Sequence, residues 1–289
     1  MFDWLANPNR FSRITEKMQP YILLITIITL ISGLYFGLFD SPKDYQQGDA
    51  VRIMYVHVPS AWLASFLYFS LAISCVFYLV WKHPLADLVS SSIAPIGALF
   101  SALTLVTGSL WGKPMWGTWW VWDARLTSML VLFFFYLGYI LLINAFERKI
   151  DGSKTASVLA IVGLINLPIV KFSVDWWHTL HQPASIIKIG GPSIDDKMLL
   201  PLILMIFALS FFSLYMIILN VKTKLIEKKC EALLLKSNLE EITTLDSATI
   251  VGGNKESIEK GVIIANAVCF ARDLENRPGN IATPSHLAK

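Results

Sequence analysis

The sequence predicts an all-α integral membrane protein with six transmembrane helices. Of its 289 residues, 55% are hydrophobic and only 16% are charged, and the mean hydropathy is +0.57. Ordinary soluble domains carry about 25% charged residues, so the bilayer is the expected solvent of this chain. The apolar residues fall into six separate stretches, and most of these reach the roughly 17–25 residues that a spanning helix requires.

The six stretches follow one another along the first 221 residues. The first comes after a polar segment with Arg10, Arg13 and Lys17 and is too long for the h-region of a cleavable signal peptide, so we expect it to remain as a membrane anchor. The fifth is the shortest and contains Pro168, and without it the topology of everything that follows would invert. We predict helices over residues 21–39, 56–81, 88–110, 126–146, 155–170 and 198–221.

The distribution of basic residues predicts the orientation. With the N-terminus inside, eleven Lys and Arg residues flank the spans on the inner side and seven on the outer side. Because cytoplasmic loops carry the excess of Lys and Arg, we expect both termini in the cytoplasm of a bacterial inner membrane, with lipid around the spans. The outer loops are longer, so the functional site is expected there. The net charge of +3 is small and dispersed, which argues against nucleic acid as a partner.

The composition changes after the sixth stretch, where the chain becomes charged and mixed. The predicted organisation is therefore a six-helix membrane domain over residues 1–224 and a cytoplasmic tail over residues 225–289. Within the tail, helical periodicity extends over residues 227–242 and 257–274.

Tryptophan is concentrated on the predicted outer side, which holds seven of the 10 Trp residues. An interfacial belt needs only one ring per helix end, whereas one outer loop groups five indoles with Gly112 and Gly117, which let the backbone approach a flat ligand closely. A large planar apolar ligand fits this cluster better than a belt does. The five are Trp111, Trp116, Trp119, Trp120 and Trp122, and the next outer loop adds Trp176 and Trp177.

Asp123 and Arg125 lie beside these indoles in the sequence. At mid-bilayer each charge would cost about 2.5–3.5 kcal/mol on the translocon scale, so the loop is expected at the membrane interface. Arg125 has two alternative partners there, the carboxylate of Asp123 or a carboxylate of the ligand, and the sequence leaves both open.

Three of the five histidines, His57, His178 and His181, fall on the outer side. A single histidine at a helix end is commonly an interfacial hydrogen-bonding residue, but three imidazoles beside an aromatic cluster indicate metal ligation. The outer loops contain no cysteine and no carboxylate-rich cage, so imidazole coordination of a haem iron suits them better than a structural zinc site. The three cysteines form no CxxC or CxxCH motif, so neither thiol exchange nor covalent haem attachment is encoded.

Three segments resemble the cytochrome c maturation protein C (CcmC) family: MYVHVPSAW at Met54–Trp62, WGKPMWGTWWVWDARLTS at Trp111–Ser128, and VDWWHTLHQPASI at Val174–Ile186. The resemblance covers residues 1–224 in register and implies six membrane helices with a Trp-rich loop facing the periplasm. It implies a haem-transfer protein rather than an enzyme. Such a protein binds haem b transiently and non-covalently at the periplasmic face and delivers it to the haem chaperone CcmE for c-type cytochrome biogenesis. The other implied partners are the helper subunit CcmD and the ABC transporter pair CcmA and CcmB.

The resemblance also implies the site residues. One histidine before the loop and one after it ligate the haem iron, and the matching motifs place these at His57 and His181. His178 lies three residues before His181, so on a helical turn both would face one side, and spacing alone leaves His178 as the alternative ligand. The remaining haem-binding residues are Trp111, Trp116, Trp119, Trp120, Trp122, Asp123 and Arg125.

The same residues leave two alternative functions to consider, a cytochrome c synthase component and a secondary transporter. A haem-attaching cytochrome c synthase component is the alternative, because related families share a Trp-rich loop, although the WDARLTS run matches the delivery family. A secondary transporter is disfavoured by spans without Asp, Glu, Lys or Arg and without an inverted repeat.

Residues 256–289 resemble the segment that leads into the catalytic domain of M17 leucyl aminopeptidases. Because the catalytic and metal-binding residues of that family would lie beyond Lys289, we expect a fragment without activity.

Overall fold

A computed structural model of the chain describes residues 8–181 and 194–246. Within these ranges, six helical spans are long and apolar enough to cross a membrane, which confirms the predicted all-α membrane fold. The spans are Pro8–Asp40, Asp49–Trp81, Leu85–Trp116, Ala124–Asn144, Lys149–Trp176 and Asp196–Ser237.

The spans are built from α-helices with short turns of other helical types at their ends. The first helix widens into a π turn at Phe36–Asp40, and a 3-10 turn at Asp49–Ile53 precedes the second. Within the fifth span a further 3-10 turn, Gly163–Ile165, joins two helices. The helices are α1 (Pro8–Tyr35), α2 (Met54–Trp81), α3 (Pro84–Trp116), α4 (Ala124–Asn144), α5 (Lys149–Val162), α6 (Asn166–Trp176) and α7 (Asp196–Asp246).

Local sequence explains where the helices around the site begin and end. α2 stops at Lys82, which has a left-handed φ of 54°, and the ring nitrogen of His83 then caps the first turn of α3. α3 ends at Gly117, whose φ of 74° would strain any residue with a side chain. Asp123 begins α4 as its N-cap, because its Oδ1 atom accepts a hydrogen bond from the Leu126 N–H at 2.8 Å.

Some predicted helix boundaries are corrected. α3 continues beyond Leu110 to Trp116, because the helical hydrogen bonding persists past Pro114 and ends only where the Gly117 N–H donates to the Lys113 carbonyl oxygen. α4 ends at Asn144, two residues before the predicted end. The fifth span is longer than predicted, and it accommodates Pro168 in the first turn of α6, where a missing N–H costs little.

The core that supports the site lies between α2, α3, α4 and α5. Its largest side chains include Tyr68, Tyr136 and Tyr139, which are at most 1% exposed. The Tyr136 hydroxyl donates to the Ala64 carbonyl oxygen at 2.8 Å, which satisfies a buried polar group. α3 approaches α4 closely at Gly97, where a Cβ atom would overlap the ring of Tyr136. The packing therefore leaves little freedom for α3 to move relative to α4.

Residue contacts divide the chain into two units, residues 1–222 and 223–289. Of the second unit the structure describes residues 223–246, which are helical as part of α7 and include the predicted helix over residues 227–242. The predicted helix over residues 257–274 and the aminopeptidase-like segment over residues 256–289 lie outside the described residues.

Candidate ligand-binding cleft

Six of the nine predicted site residues line one cleft at one end of the bundle. The Trp111 indole N–H donates to Oε1 of Gln47 at 2.9 Å, which joins the end of α3 to the α1–α2 connection. His181 contacts Asp123, which joins the segment after α6 to the start of α4. These elements surround a cleft of about 860 Å³, within the range of roughly 300–1,000 Å³ that is typical of ligand pockets. Among the lining side chains are His57, Trp111, Trp116, Trp120, Arg125 and His181.

His57 lies in the first turn of α2 and contacts α3. Its Nδ1 atom is 3.0 Å from Oγ1 of Thr107, and its ring is edge-on to the Trp111 indole with 5.7 Å between the ring centroids. The absence of a side chain at Gly108 leaves space for the imidazole, because a Cβ atom there would lie 3.0 Å from Cε1 of His57. Since Nδ1 is engaged by the Thr107 hydroxyl, Nε2 is the ring nitrogen that remains for a ligand.

His181 follows α6 and has a matching environment. Its Nδ1 atom is 3.4 Å from Oδ2 of Asp123, and its ring is edge-on to the Trp116 indole with 5.0 Å between the centroids. Burial lowers the pKa of His181 and the positive charge of Arg125 lowers it further, while Asp123 raises it by charge and by hydrogen bonding. The net pKa is below the ordinary value, so the imidazole is neutral at pH 7, which is the form that binds a metal.

Asp123 connects the cleft to the fold. One carboxylate oxygen caps α4 and the other contacts His181, and the side chain is only 6% exposed. Among the described residues no salt bridge joins Arg125 to Asp123, the first of the two partners that the sequence left open. Arg125 lines the cleft. The same carboxylate therefore starts a helix and holds an imidazole.

The five clustered tryptophans do not share one loop, which corrects the sequence prediction. Trp111 and Trp116 belong to the last turns of α3, whereas Trp119, Trp120 and Trp122 lie in the connection over residues 117–123. Trp111, Trp116 and Trp120 line the cleft, and Nε1 of Trp120 is buried without a hydrogen-bond partner in the described parts of the chain. Trp119 and Trp122 do not line it and are 55% and 75% exposed. The cluster therefore has a cleft-facing part and an exposed part.

His178 stands apart from the other two outer histidines. Its side chain is exposed and does not line the cleft, unlike that of His181. Conversely, Thr107 and Gly108 contact His57 although sequence reasoning missed them. The only signal was helical spacing, since Thr107 lies four residues before Trp111 on what proves to be one helix.

Comparison with known proteins identifies relatives across most of the chain. The model of the CcmC family, described as heme exporter protein C, matches residues 1–236 and so ends before the aminopeptidase-like segment. Heme exporter protein C of Bradyrhizobium diazoefficiens is 51% identical over 214 residues, which are 73% of this chain and 81% of that protein. The Haemophilus influenzae protein of the same name is 51% identical over 218 residues, 74% of this chain and 88% of its own length. A mitochondrial protein of Marchantia polymorpha, named as ccmC-like and for cytochrome c biosynthesis, is 53% identical over 180 residues, 62% of this chain and 75% of its own.

Proposed function

The chain belongs to the heme exporter protein C family, and from this premise we propose that it binds haem in the cleft and exports it for cytochrome c biogenesis. The names of the relatives refer to haem export and cytochrome c biosynthesis, which indicates a haem-handling role rather than catalysis. The cleft is the site that we assign to this role.

One observation supports the assignment above all others. Two imidazoles line the same cleft, and each has its Nδ1 atom beside a hydrogen-bond partner and an indole against its ring. Histidines that ligate a metal usually donate their second ring N–H to a carboxylate or another oxygen, which fixes the orientation of the ring. We therefore propose His57 and His181 as the axial ligands of the haem iron, both through Nε2.

The porphyrin carries carboxylates, and the cleft offers donors for them. Arg125 lines the cleft with no ion-pair partner among the described residues, and the Trp120 indole N–H is buried without a partner there. A guanidinium binds a carboxylate through charge-assisted hydrogen bonds, so we assign Arg125 and Trp120 to the propionates. The indoles of Trp111 and Trp116 add apolar surface beside the two imidazoles.

The proposed cargo is haem b held without a covalent bond. No CxxCH motif is present in the sequence, so coordination, apolar contact and hydrogen bonds hold the haem, and breaking them releases it intact. The charge bias orients the cleft toward the periplasm. We propose that the haem chaperone CcmE receives the haem there, near the exposed indoles of Trp119 and Trp122, and that CcmD, CcmA and CcmB complete the complex.

The test is the visible spectrum of the detergent-purified full chain loaded with haem. The wild-type protein should show a six-coordinate, low-spin spectrum, and His57→Ala and His181→Ala should each lose it. His178→Ala is the matched control, because this imidazole is exposed and does not line the cleft. A spectrum that survives in His181→Ala and disappears in His178→Ala would overturn the ligand assignment.

A further inference from the structure

We propose that one stretch of α3 positions His57 so that its Nε2 lone pair is directed at the haem iron. This stretch consists of Thr107, Gly108 and Trp111, which we call the His57 seat. The inference rests on the proposed haem site and assigns a function to Thr107, which does not line the cleft, and to the packing of the cleft residue Gly108 against His57. They act through the imidazole, as positioning residues.

The first contribution of the seat is a directed hydrogen bond. The Thr107 hydroxyl has one hydrogen, which it donates to a backbone carbonyl oxygen of the preceding turn of α3, that of Leu103 at 2.6 Å or that of Thr104 at 3.3 Å. The hydroxyl oxygen is then an acceptor toward His57, so the hydrogen on the imidazole resides on Nδ1. A neutral imidazole has a hydrogen on only one nitrogen, which leaves the lone pair on Nε2. The seat therefore selects the tautomer that coordinates a metal through Nε2.

The second contribution is steric. A Cβ atom at Gly108 would lie 3.0 Å from Cε1 of His57, closer than ordinary van der Waals contact, so the ring is packed directly against the α3 backbone. The edge-on Trp111 indole bounds the imidazole as well, and its own position is fixed by its hydrogen bond to Gln47. The ring therefore has a hydrogen bond, a backbone surface and an indole around it, which together restrict its rotation.

The seat differs from the support of the other histidine. His181 is beside a carboxylate, whereas His57 is beside a neutral hydroxyl that is held by its own helix. Loss of the Thr107 hydroxyl should therefore affect the iron bond of His57 without changing that of His181. A change confined to the His57 bond distinguishes loss of the seat from a general loss of stability, which would affect both histidines.

The experiment compares three variants of the full chain loaded with ferric haem. Thr107→Val removes the hydroxyl at nearly constant shape, and Thr107→Ser restores it. Thr26→Val is the matched control, because Thr26 is likewise a helical threonine whose hydroxyl donates to the carbonyl oxygen four residues earlier, that of Ile22 at 2.8 Å in α1, and it does not line the cleft. The first measurement is displacement by exogenous imidazole, in which one Fe–N bond breaks and another forms while the iron keeps its oxidation state.

Thr107→Val should lower the imidazole concentration for half-displacement by about 10- to 100-fold, the usual effect of losing an outer hydrogen-bond partner of a ligand. Its electron paramagnetic resonance spectrum, which depends on the angle between the two axial imidazole planes, should also change. Thr107→Ser and Thr26→Val should match the wild type in both measurements. A fourth variant, Gly108→Ala, places a methyl group against Cε1 of His57 and should change the same two readouts.

A readout without haem completes the test. Nitrogen-15 nuclear magnetic resonance of histidine-labelled apoprotein should show hydrogen on Nδ1 of His57 in the wild type and a mixture of tautomers in Thr107→Val. Hydrogen on Nε2 in the wild type, or wild-type displacement and resonance spectra in Thr107→Val, would overturn the seat. Failure of the proposed function is a separate result, since it would appear as a six-coordinate spectrum that survives His57→Ala.

Discussion

Trp116→Ala should weaken haem binding, whereas Trp122→Ala should leave it nearly unchanged, although both residues belong to the same aromatic motif. The Trp116 indole lines the cleft and lies edge-on to His181, with 5.0 Å between the ring centroids. The Trp122 side chain is 75% exposed, does not line the cleft, and contacts the Trp120 ring at 5.4 Å. The two substitutions therefore remove the same side chain from two different environments.

The size of the effect follows from the contact with His181. An aromatic pair of this geometry contributes about 0.5–1.5 kcal/mol beyond its buried area. At about 1.4 kcal/mol for each factor of ten, loss of this contact raises the Kd for haem about 2- to 12-fold. Apolar contact between the indole and haem would increase the loss further. For Trp122→Ala we expect a change below about twofold, because solvent already covers most of this ring.

The assay is a haem titration of detergent-purified apoprotein, followed by the absorbance of the six-coordinate species. Trp116→Phe serves as the matched control, because it retains an aromatic ring beside His181 and should recover most of the affinity. Chromatography in detergent verifies that each variant is folded and monodisperse. If Trp122→Ala weakens haem binding as much as Trp116→Ala, the division between cleft-facing and exposed indoles does not describe how this protein holds haem.

Further predictions concern pH, packing, the tail and topology. Because the positive charge of Arg125 contributes to lowering the pKa of His181, Arg125→Gln should raise that pKa, so acidification should abolish the six-coordinate spectrum at a higher pH than in the wild type; a midpoint that stays or falls would contradict this. Gly97→Ala should destabilise the bundle by about 1–3 kcal/mol through overpacking against Tyr136, seen as a lower denaturation temperature, and an unchanged temperature would show that α3 and α4 can separate there. Truncation after Ser237 should preserve haem binding and cytochrome c maturation, because the family match ends at residue 236, and loss of maturation at normal protein levels would count against it. Reporter fusions near Lys113 should indicate the periplasm and fusions after Lys149 the cytoplasm, and the reverse result would invert the proposed orientation.

Because some indoles of the aromatic motif line the cleft and others are exposed, we expect the two groups to contribute separately to binding and to transfer of haem. Trp111 and Trp116 each lie edge-on to one of the two cleft histidines, five residues apart on α3. Their placement therefore connects the two proposed iron ligands through a single helix. Trp119 and Trp122 are exposed, and we proposed that the haem chaperone binds near them, so we expect substitutions there to impair transfer of haem more than its binding.

The sequence predicted which residues lie near the proposed ligand, but it did not predict how they are arranged around the cleft. His57, His181, Trp120 and Arg125 were expected near a ligand, and all four line one cleft. The prediction that all five indoles lie in one loop was wrong, because α3 continues past Gly112 and Pro114 through Trp116 and ends only at Gly117, which has a left-handed φ. A helix presents Trp111 and Trp116 in directions fixed by its period, whereas a loop would have allowed all five rings to gather.

The sequence by itself determined the six spans, because the length and hydropathy of a contiguous apolar run decide whether a helix can cross a bilayer. Only the tertiary structure decided the partners of the two imidazoles. Thr107 meets His57 across 50 residues and Asp123 meets His181 across 58, and neither pair shares a motif. Such pairs depend on how α2, α3 and the end of α6 pack together, and packing brings together side chains whose separation along the chain carries no information about their distance in space.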